Sequence, residues 1–308
     1  MTAKLPEPRP YRDENDWRAM LDLLRAGRAV SNGTYYVHPG DVSWWLFYPD
    51  QSDELAERVY LWEADGHLHG WCLFTPAEAA LDVFVQPEWR GSPQAEQMFL
   101  WAEARFAARL RAQDGQAINV DWILETDDWR TSFLETQGYT RKGANPYFTR
   151  SLAEPAPAPT LPEGYQIRRV GGEPEGPMRA TASHAAFQSR FPFNEYWPRY
   201  QSFMRLPVYA TGCDMMVVTP DGRCASFCIF WPDAVNKVAL FEPVGTHPDF
   251  QRRGLGKALL SECLRRLQAE GMEHAIVGTN SGNLAAERLY ESVGFKLTNR
   301  ILLYTKSL

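Results

Sequence analysis

The feature that most restricts how this chain can fold is that it repeats itself. Val85-Gln86-Pro87-Glu88-Trp89 resembles Thr246-His247-Pro248-Asp249-Phe250 at an offset of 161 residues, and Phe133-Leu134-Glu135-Thr136-Gln137-Gly138-Tyr139 mirrors Leu289-Tyr290-Glu291-Ser292-Val293-Gly294-Phe295 at an offset of 156. The stretch between the two matches differs by a few residues, which surface loops absorb at little cost. A chain of 308 residues also exceeds the roughly 100–200 residues of a typical domain. Two diverged copies of one domain are therefore predicted.

Each copy runs strand, helices, several strands, helix, strand, helix, strand. In the first, a short strand near Arg9 to Tyr11 precedes a helix over Trp17 to Ala26 and a helical or aromatic segment around Val42 to Tyr48. Strands follow near Val59 to Ala64, His67 to Phe74 and Ala80 to Val85. The second copy opens with a strand at Tyr165 to Val170, helices near Met178 to Phe187 and Tyr196 to Leu206, then strands near Met215, Cys224 and Val238. Such an order predicts an α/β fold with helices packed on the faces of a sheet. Between the copies, Glu154-Pro155-Ala156-Pro157-Ala158-Pro159-Thr160-Leu161-Pro162 alternates proline, which removes backbone donors and stiffens the chain. It reads as a linker, 154–162, between domains 1–153 and 163–308.

Composition narrows the function classes. With 44% hydrophobic and 13% aromatic residues the chain can build globular cores. A net charge of −6 disfavours nucleic acid as the main partner and leaves small or cationic acceptors open. Cys72, Cys213, Cys224, Cys228 and Cys263 show no zinc-chelating spacing, so no metal is expected, and scattered thiols fit a reducing cytoplasm. The opening MTAKLPEPRPYRDEND has no signal-peptide core, and no run of about 18 apolar residues occurs, so a cytoplasmic protein without a membrane partner is expected.

The most informative segment runs from Val244 to Leu260: a strand ends, a basic glycine loop follows, and a helix starts. Leu255, Leu259, Leu260, Cys263, Leu264 and Leu267 recur at helical spacing, and Gly271 is a natural stop. The loop glycines thus lie at a helix N-terminus, where unpaired N–H groups and the helix dipole favour an anion. A Walker loop fails twice, with Gln251 at its first glycine and Ala258 at its magnesium-binding Ser/Thr. A dinucleotide fingerprint fails at Leu259, the third glycine position, and lacks the ribose-binding acid.

The pattern [Q/R]xxGx[G/A] is met by Gln251-Arg252-Arg253-Gly254-Leu255-Gly256, and here the segment resembles the GCN5-related N-acetyltransferase family. A second segment has the shape of that family's other signature: Asn283 before a short helix, then Leu289-Tyr290, three residues, and Gly294-Phe295. Asn283 is also placed to cap the helix, with Tyr290 two turns later on the same face. Together the two segments cover about residues 238–295.

The resemblance implies two tandem acetyltransferase-like domains, each a mixed, mostly antiparallel sheet flanked by helices. It implies acetyl-CoA as co-substrate, bound by Gln251, Arg252, Arg253, Gly254, Leu255, Gly256, Lys257 and Asn283, with pantetheine along backbone at Val244 and Thr246. Such backbone N–H groups would polarise the thioester carbonyl. An amine acceptor must lose a proton before it attacks, and Glu242, a carboxylate among Val238, Ala239, Leu240 and Phe241, is the candidate base. His247 stands in reserve for that role. Tyr290 matches the family's tyrosine, which protonates the departing thiolate.

The acceptor side would include His184, Phe187, Arg190, Phe191, Phe193, Glu195, Tyr196, Trp197 and Tyr200, an aromatic set equally suited to core packing. The first copy departs from the family pattern. Pro93 stands at the position of Gly254, Leu134 at that of Tyr290, and Glu125-Thr126-Asp127-Asp128 brings carboxylates near the expected turn. The expected activity is direct transfer of an acetyl group to a primary amine by the second domain. A coenzyme A sensor without turnover, or transfer of another acyl group, are the competing readings.

Overall fold

The computed structural model describes residues 5–31, 33, 35–47, 54–209 and 212–308. The first half of the chain carries β1 (Arg9–Pro10), α1 (Glu14–Val30), α2 (Pro39–Phe47), α3 (Leu55–Arg58), β2 (Val59–Ala64) and β3 (His67–Thr75). It continues through β4 (Ala80–Val85), α4 (Pro93–Arg111), β5 (Ala117–Leu124), α5 (Asp128–Thr136) and β6 (Thr140–Ser151). The second carries β7 (Gln166–Arg169), α6 (Gly176–Phe187), α7 (Phe193–Arg205), β8 (Asp214–Val218) and β9 (Cys224–Asp233). Then come β10 (Val238–Thr246), α8 (Leu255–Ala269), β11 (His274–Gly278), α9 (Leu284–Ser292) and β12 (Lys296–Ser307). Tyr48, at the end of the expected aromatic segment, lies outside the described residues.

The chain folds as two compact units. Unit 1 comprises Met1–Pro39, Asp53–Pro146 and Asn299–Leu308; unit 2 comprises Gly40–Ser52 and Tyr147–Thr298. In unit 1 the strand order is β1-β2-β3-β4-β5-β12. Among the described residues only β4 and β5 run parallel there, meeting at Ala80↔Asn119. In unit 2 the order is β6-β11-β10-β9-β8-β7, and among the described residues only β10 and β11 run parallel. Both sheets are thus mixed and mostly antiparallel, with helices against them, the α/β architecture predicted from the order of elements.

Local chemistry accounts for the elements. Asp13 caps α1 by accepting from the Asn15 amide at 2.8 Å, and Trp17, Met20, Leu21 and Leu24 bury one face. In unit 1, α4 sets Ala95, Met98, Phe99, Ala102, Phe106 and Leu110 against Phe74, Leu81, Val83 and Val120. In unit 2, α8 sets Leu255, Leu259, Leu260, Cys263, Leu264 and Leu267 against Cys228, Ala239, Phe241 and Val277. Each fully buried leucine side chain removed from water contributes roughly 2 kcal/mol. β9 is buried at every position but Pro232, as its nearly unbroken apolar run demands.

Two segments depart from their sequence neighbours. Asp41 to Phe47 of α2 pack in unit 2, where the Trp44 ring meets Phe203 edge-on at 5.5 Å. The proline-rich stretch is tied down at its start: Arg150 donates to the Glu154 and Pro155 carbonyls at 3.3 and 3.0 Å, and Gln268 donates to the Glu154 carbonyl at 2.7 Å.

Candidate active site

In unit 2, β10 and β11 pair from Val238↔His274 to Leu240↔Ile276 and no further. On its other side β10 stays with β9 to Thr246↔Ser226, with a register shift between Phe241 and Val244. The strands therefore part where the apolar residues give way to Glu242, and Val244 and Thr246 lie on the parted stretch. Gln251 donates to the Thr246 carbonyl at 3.3 Å, holding the loop to the strand end.

Helix α8 begins at Gly254, whose φ of +76° is left-handed and where an added Cβ would meet no atom within 4 Å. No side chain caps this helix, so its first N–H groups are left for another acceptor. At Gly256 an added Cβ would stand 3.3 Å from Leu289 and 3.6 Å from the Thr246 hydroxyl, so the helix start lies close against both. Arg252 and Lys257 are exposed beside it. Arg253 instead builds the loop, donating to the Asp249 carbonyl at 3.0 Å and lying over the Phe250 ring at 5.4 Å.

Asn283 caps α9, its side chain accepting from the Ala286 amide at 3.2 Å. That helix carries Tyr290, which is buried, with its ring edge-on to Phe148 at 5.9 Å. Burial raises the phenol pKa, and the charges of Glu242 and Cys228 raise it further. Glu242 lies on the parted strand, and one of its oxygens, Oε2, is buried without a hydrogen-bond partner. Its carboxyl is pushed well above the usual range by burial first and then by Asp41, which hydrogen-bonds it; the Trp45 side chain opposes the shift with a hydrogen bond of its own.

Of the residues singled out in the sequence, Glu242 and Tyr290 come close enough for one charge to act on the other. His247 caps a short turn, accepting from the Asp249 amide at 3.3 Å through Nδ1. The His184 Nε2 meets the Phe191 carbonyl at 2.8 Å, and Tyr196 and Tyr200 are core residues. Asp41 was missed. It is an acid at the head of an apolar helical run containing Val42, Trp44 and Leu46, a signal that marks an oddity but names no partner.

Residues 180–295 match the model of the acetyltransferase (GNAT) family. These residues belong to that family. Over 78 residues the chain is 38% identical to [ribosomal protein bS18]-alanine N-acetyltransferase of Salmonella typhimurium, a stretch that is 25% of this chain and 51% of that protein. Over 149 residues it is 28% identical to mycothiol acetyltransferase of Streptomyces coelicolor, 48% of each chain. The chain thus spans about half the length of both relatives. The tandem GNAT protein from the clavulanic acid biosynthesis pathway shares the fold over 98% of both chains, with a TM-score of 0.68 at 15% identity. That fold is therefore matched along the length of this chain.

Unit 1 builds the corresponding positions differently. Helix α4 starts with Pro93 and is capped by Ser92, whose hydroxyl accepts from the Ala95 amide at 3.4 Å. Arg90 pairs with buried Asp127 and lies over the Tyr35 ring at 3.9 Å. Asp127 also caps α5, so it is a paired structural acid rather than a free charge. Tyr36 donates from its hydroxyl to the Val85 carbonyl at 2.9 Å, at the residue matching Thr246. Leu134 and Leu81, at the places of Tyr290 and Glu242, are buried in the core. Among the described residues no cluster of three His, Cys, Asp or Glu could hold a metal ion, and no helix is long and apolar enough to cross a membrane.

Proposed function

We propose that this protein is an acetyl-CoA-dependent N-acetyltransferase that acylates a primary amine, with its chemistry in unit 2, which holds most of 163–308, and a non-catalytic copy of the fold in unit 1, which holds most of 1–153. The observation that carries the reading is the uncapped, glycine-headed start of α8 beside the point where β10 leaves β11. The fit to coenzyme A is local. Left-handed Gly254 and close-packed Gly256 keep side chains off the helix start, and Arg252 and Lys257 supply positive charge near a pyrophosphate. Gln251, Arg253, Leu255 and Asn283 shape the loop and the neighbouring helix, and Val244 and Thr246 offer backbone to the pantetheine arm.

When bound, acetyl-CoA supplies a thioester whose carbonyl carbon bonds to the acceptor nitrogen as its carbon–sulfur bond breaks. Glu242 takes the first proton from the acceptor ammonium. Tyr290 gives its phenolic proton to the leaving sulfur and regains one from the nitrogen as it becomes an amide. One proton per turnover reaches solvent. Burial of Tyr290 keeps its proton in place until the sulfur draws it.

One relative is named for an alanine of ribosomal protein bS18 and the other for mycothiol. Their names thus span a protein and a small molecule, and the acceptor here is sought by experiment. Acetyl-CoA offered with a panel of amines should release free thiol with at least one of them. Binding without thiol release across the panel would point to a sensor, and release only with a different acyl thioester would replace acetyl by that group.

A further inference from the structure

Tyr290 sits near the end of α9, and that end is held from outside the helix. The Arg150 side chain is 4% exposed and donates through Nη1 to the carbonyl of Val293, the residue that closes α9. Through Nη2 it donates to the Glu154 and Pro155 carbonyls at 3.3 and 3.0 Å. A cation on the last carbonyls of a helix meets the negative end of its dipole. The Val293 and Phe295 amides in turn donate to the Tyr290 carbonyl at 3.2 and 3.1 Å, so the clamped turn is the one that carries Tyr290. An added Cβ at Gly294 would overlap the Arg150 Nη1, so glycine there leaves room for the guanidinium.

Phe148 and Arg150 stand two apart on β6, which pairs with β11 at Phe148↔Val277 and Arg150↔Ala275. They share one face of the strand. Phe148 meets the Tyr290 ring edge-on at 5.9 Å. One strand therefore touches the phenol ring with one side chain and anchors its helix with another. Among the described residues unit 1 has no such clamp. At the offset of 156 residues Lys306 corresponds to Arg150, yet it pairs with Glu103 of α4 at 2.7 Å. An added Cβ at Gly138, which matches Gly294, would meet no atom within 4 Å. The helix end is anchored where the helix carries a tyrosine, and not where it carries Leu134.

We propose that Arg150 is a positioning residue for the transfer reaction: by tying the last turn of α9 to β6 it sets where the Tyr290 hydroxyl stands relative to the leaving sulfur. This rests on the reading of Tyr290 as the acid. A proton donor acts only within hydrogen-bond reach, so a displacement of about 1 Å costs up to about 10²-fold in rate. Arg150 itself gains and loses no proton. It precedes the proline-rich stretch in sequence and folds with unit 2, so the site draws on chain that comes before residue 154.

The test is a double-mutant cycle in the full-length enzyme, measured with whichever amine the panel yields. Arg150→Met keeps the stem and removes the donors, and should lower kcat by at least about tenfold with acetyl-CoA affinity within about twofold of wild type. Arg150→Lys should recover part of that loss. In a Tyr290→Phe background Arg150→Met should cost nothing further, because the hydroxyl it positions is gone. Fluorine NMR of protein labelled with 3-fluorotyrosine reads the same placement without turnover. The resonance that disappears in Tyr290→Phe should shift in Arg150→Met and move back in Arg150→Lys. If Arg150→Met does not fold, Arg150→Lys takes its place in the cycle, with a smaller loss that likewise vanishes beside Tyr290→Phe. Equal losses with and without the tyrosine hydroxyl, or an unmoved resonance with unchanged kcat, would overturn the positioning role and leave Tyr290 as the acid. Wild-type turnover in Tyr290→Phe would overturn the acid assignment itself.

Discussion

Helices α4 and α8 hold equivalent places in their units, and their first turns differ in the way that matters most for an anion. The α8 start has a left-handed glycine and no capping side chain; the α4 start has a proline at its first position and the Ser92 hydroxyl on one of its amides. One end is left open and the other is closed by its own sequence. The neighbouring strands repeat the contrast, because β10 carries Glu242 against Asp41 while β4 carries Asp82 near Arg130. Burial raises both acids, but a second acid adds to the shift of the first while a cation opposes that of the other. Duplication kept the packing of helix on sheet and let the polar positions around it diverge.

The largest losses should come from the chemistry that unit 2 alone carries. Glu242→Gln and Tyr290→Phe are each expected to lower kcat by about 10²–10⁴-fold, with acetyl-CoA affinity close to wild type. Steady-state kinetics alongside binding measurements separate the two quantities. Asp82→Asn, in the matched strand of unit 1, should leave kcat within about twofold. Equal losses in all three variants would erase the distinction between the units.

A smaller effect concerns stability. Burial pushes the Asp82 carboxyl up to about 7, with Arg130 opposing the shift and Asp121 and Glu78 adding to it, against about 3.9 for an unfolded aspartate. The folded protein therefore keeps a proton that the unfolded chain releases. Its stabilising contribution is full below about pH 4 and is lost as pH rises through about 7. Asp82→Asn, neutral throughout, should gain roughly 2 kcal/mol relative to wild type between about pH 5 and pH 8. Denaturant unfolding at the two pH values reads this directly, and a pH-independent difference would contradict it. The smallest change is that of Ser92→Ala, which should cost about 1 kcal/mol through the lost cap and leave acetyl-CoA binding unchanged. A Ser92→Ala variant with altered affinity would place the α4 start in the site.

Contiguous strings carried most of what the sequence revealed. The glycine loop, Asn283 and Tyr290 are legible because a helix start, its cap and a residue two turns on are fixed by local spacing. The helical character of Val42 to Phe47 was legible too, but its partner was not. Asp41 meets Glu242, far along the chain, and no periodicity reports a contact of that range. The same holds for β12, which pairs with β5 from Ile301↔Leu124 to Ser307↔Ala117 and so completes unit 1 from the far end of the chain. Tyr36 was equally silent, since its bond to the Val85 carbonyl depends on how the segment after α1 packs on β4. Long-range pairings of this kind are decided by the folded core and leave no mark on local pattern.

If the open helix start in unit 2 is the coenzyme site and the capped one in unit 1 is not, calorimetric titration of the full-length protein with acetyl-CoA must find one site per chain. Gly256→Val should then lose at least about tenfold in affinity, about 1.4 kcal/mol, with no second site emerging. Two sites per chain, or a single site whose affinity is unchanged in Gly256→Val, would contradict that assignment.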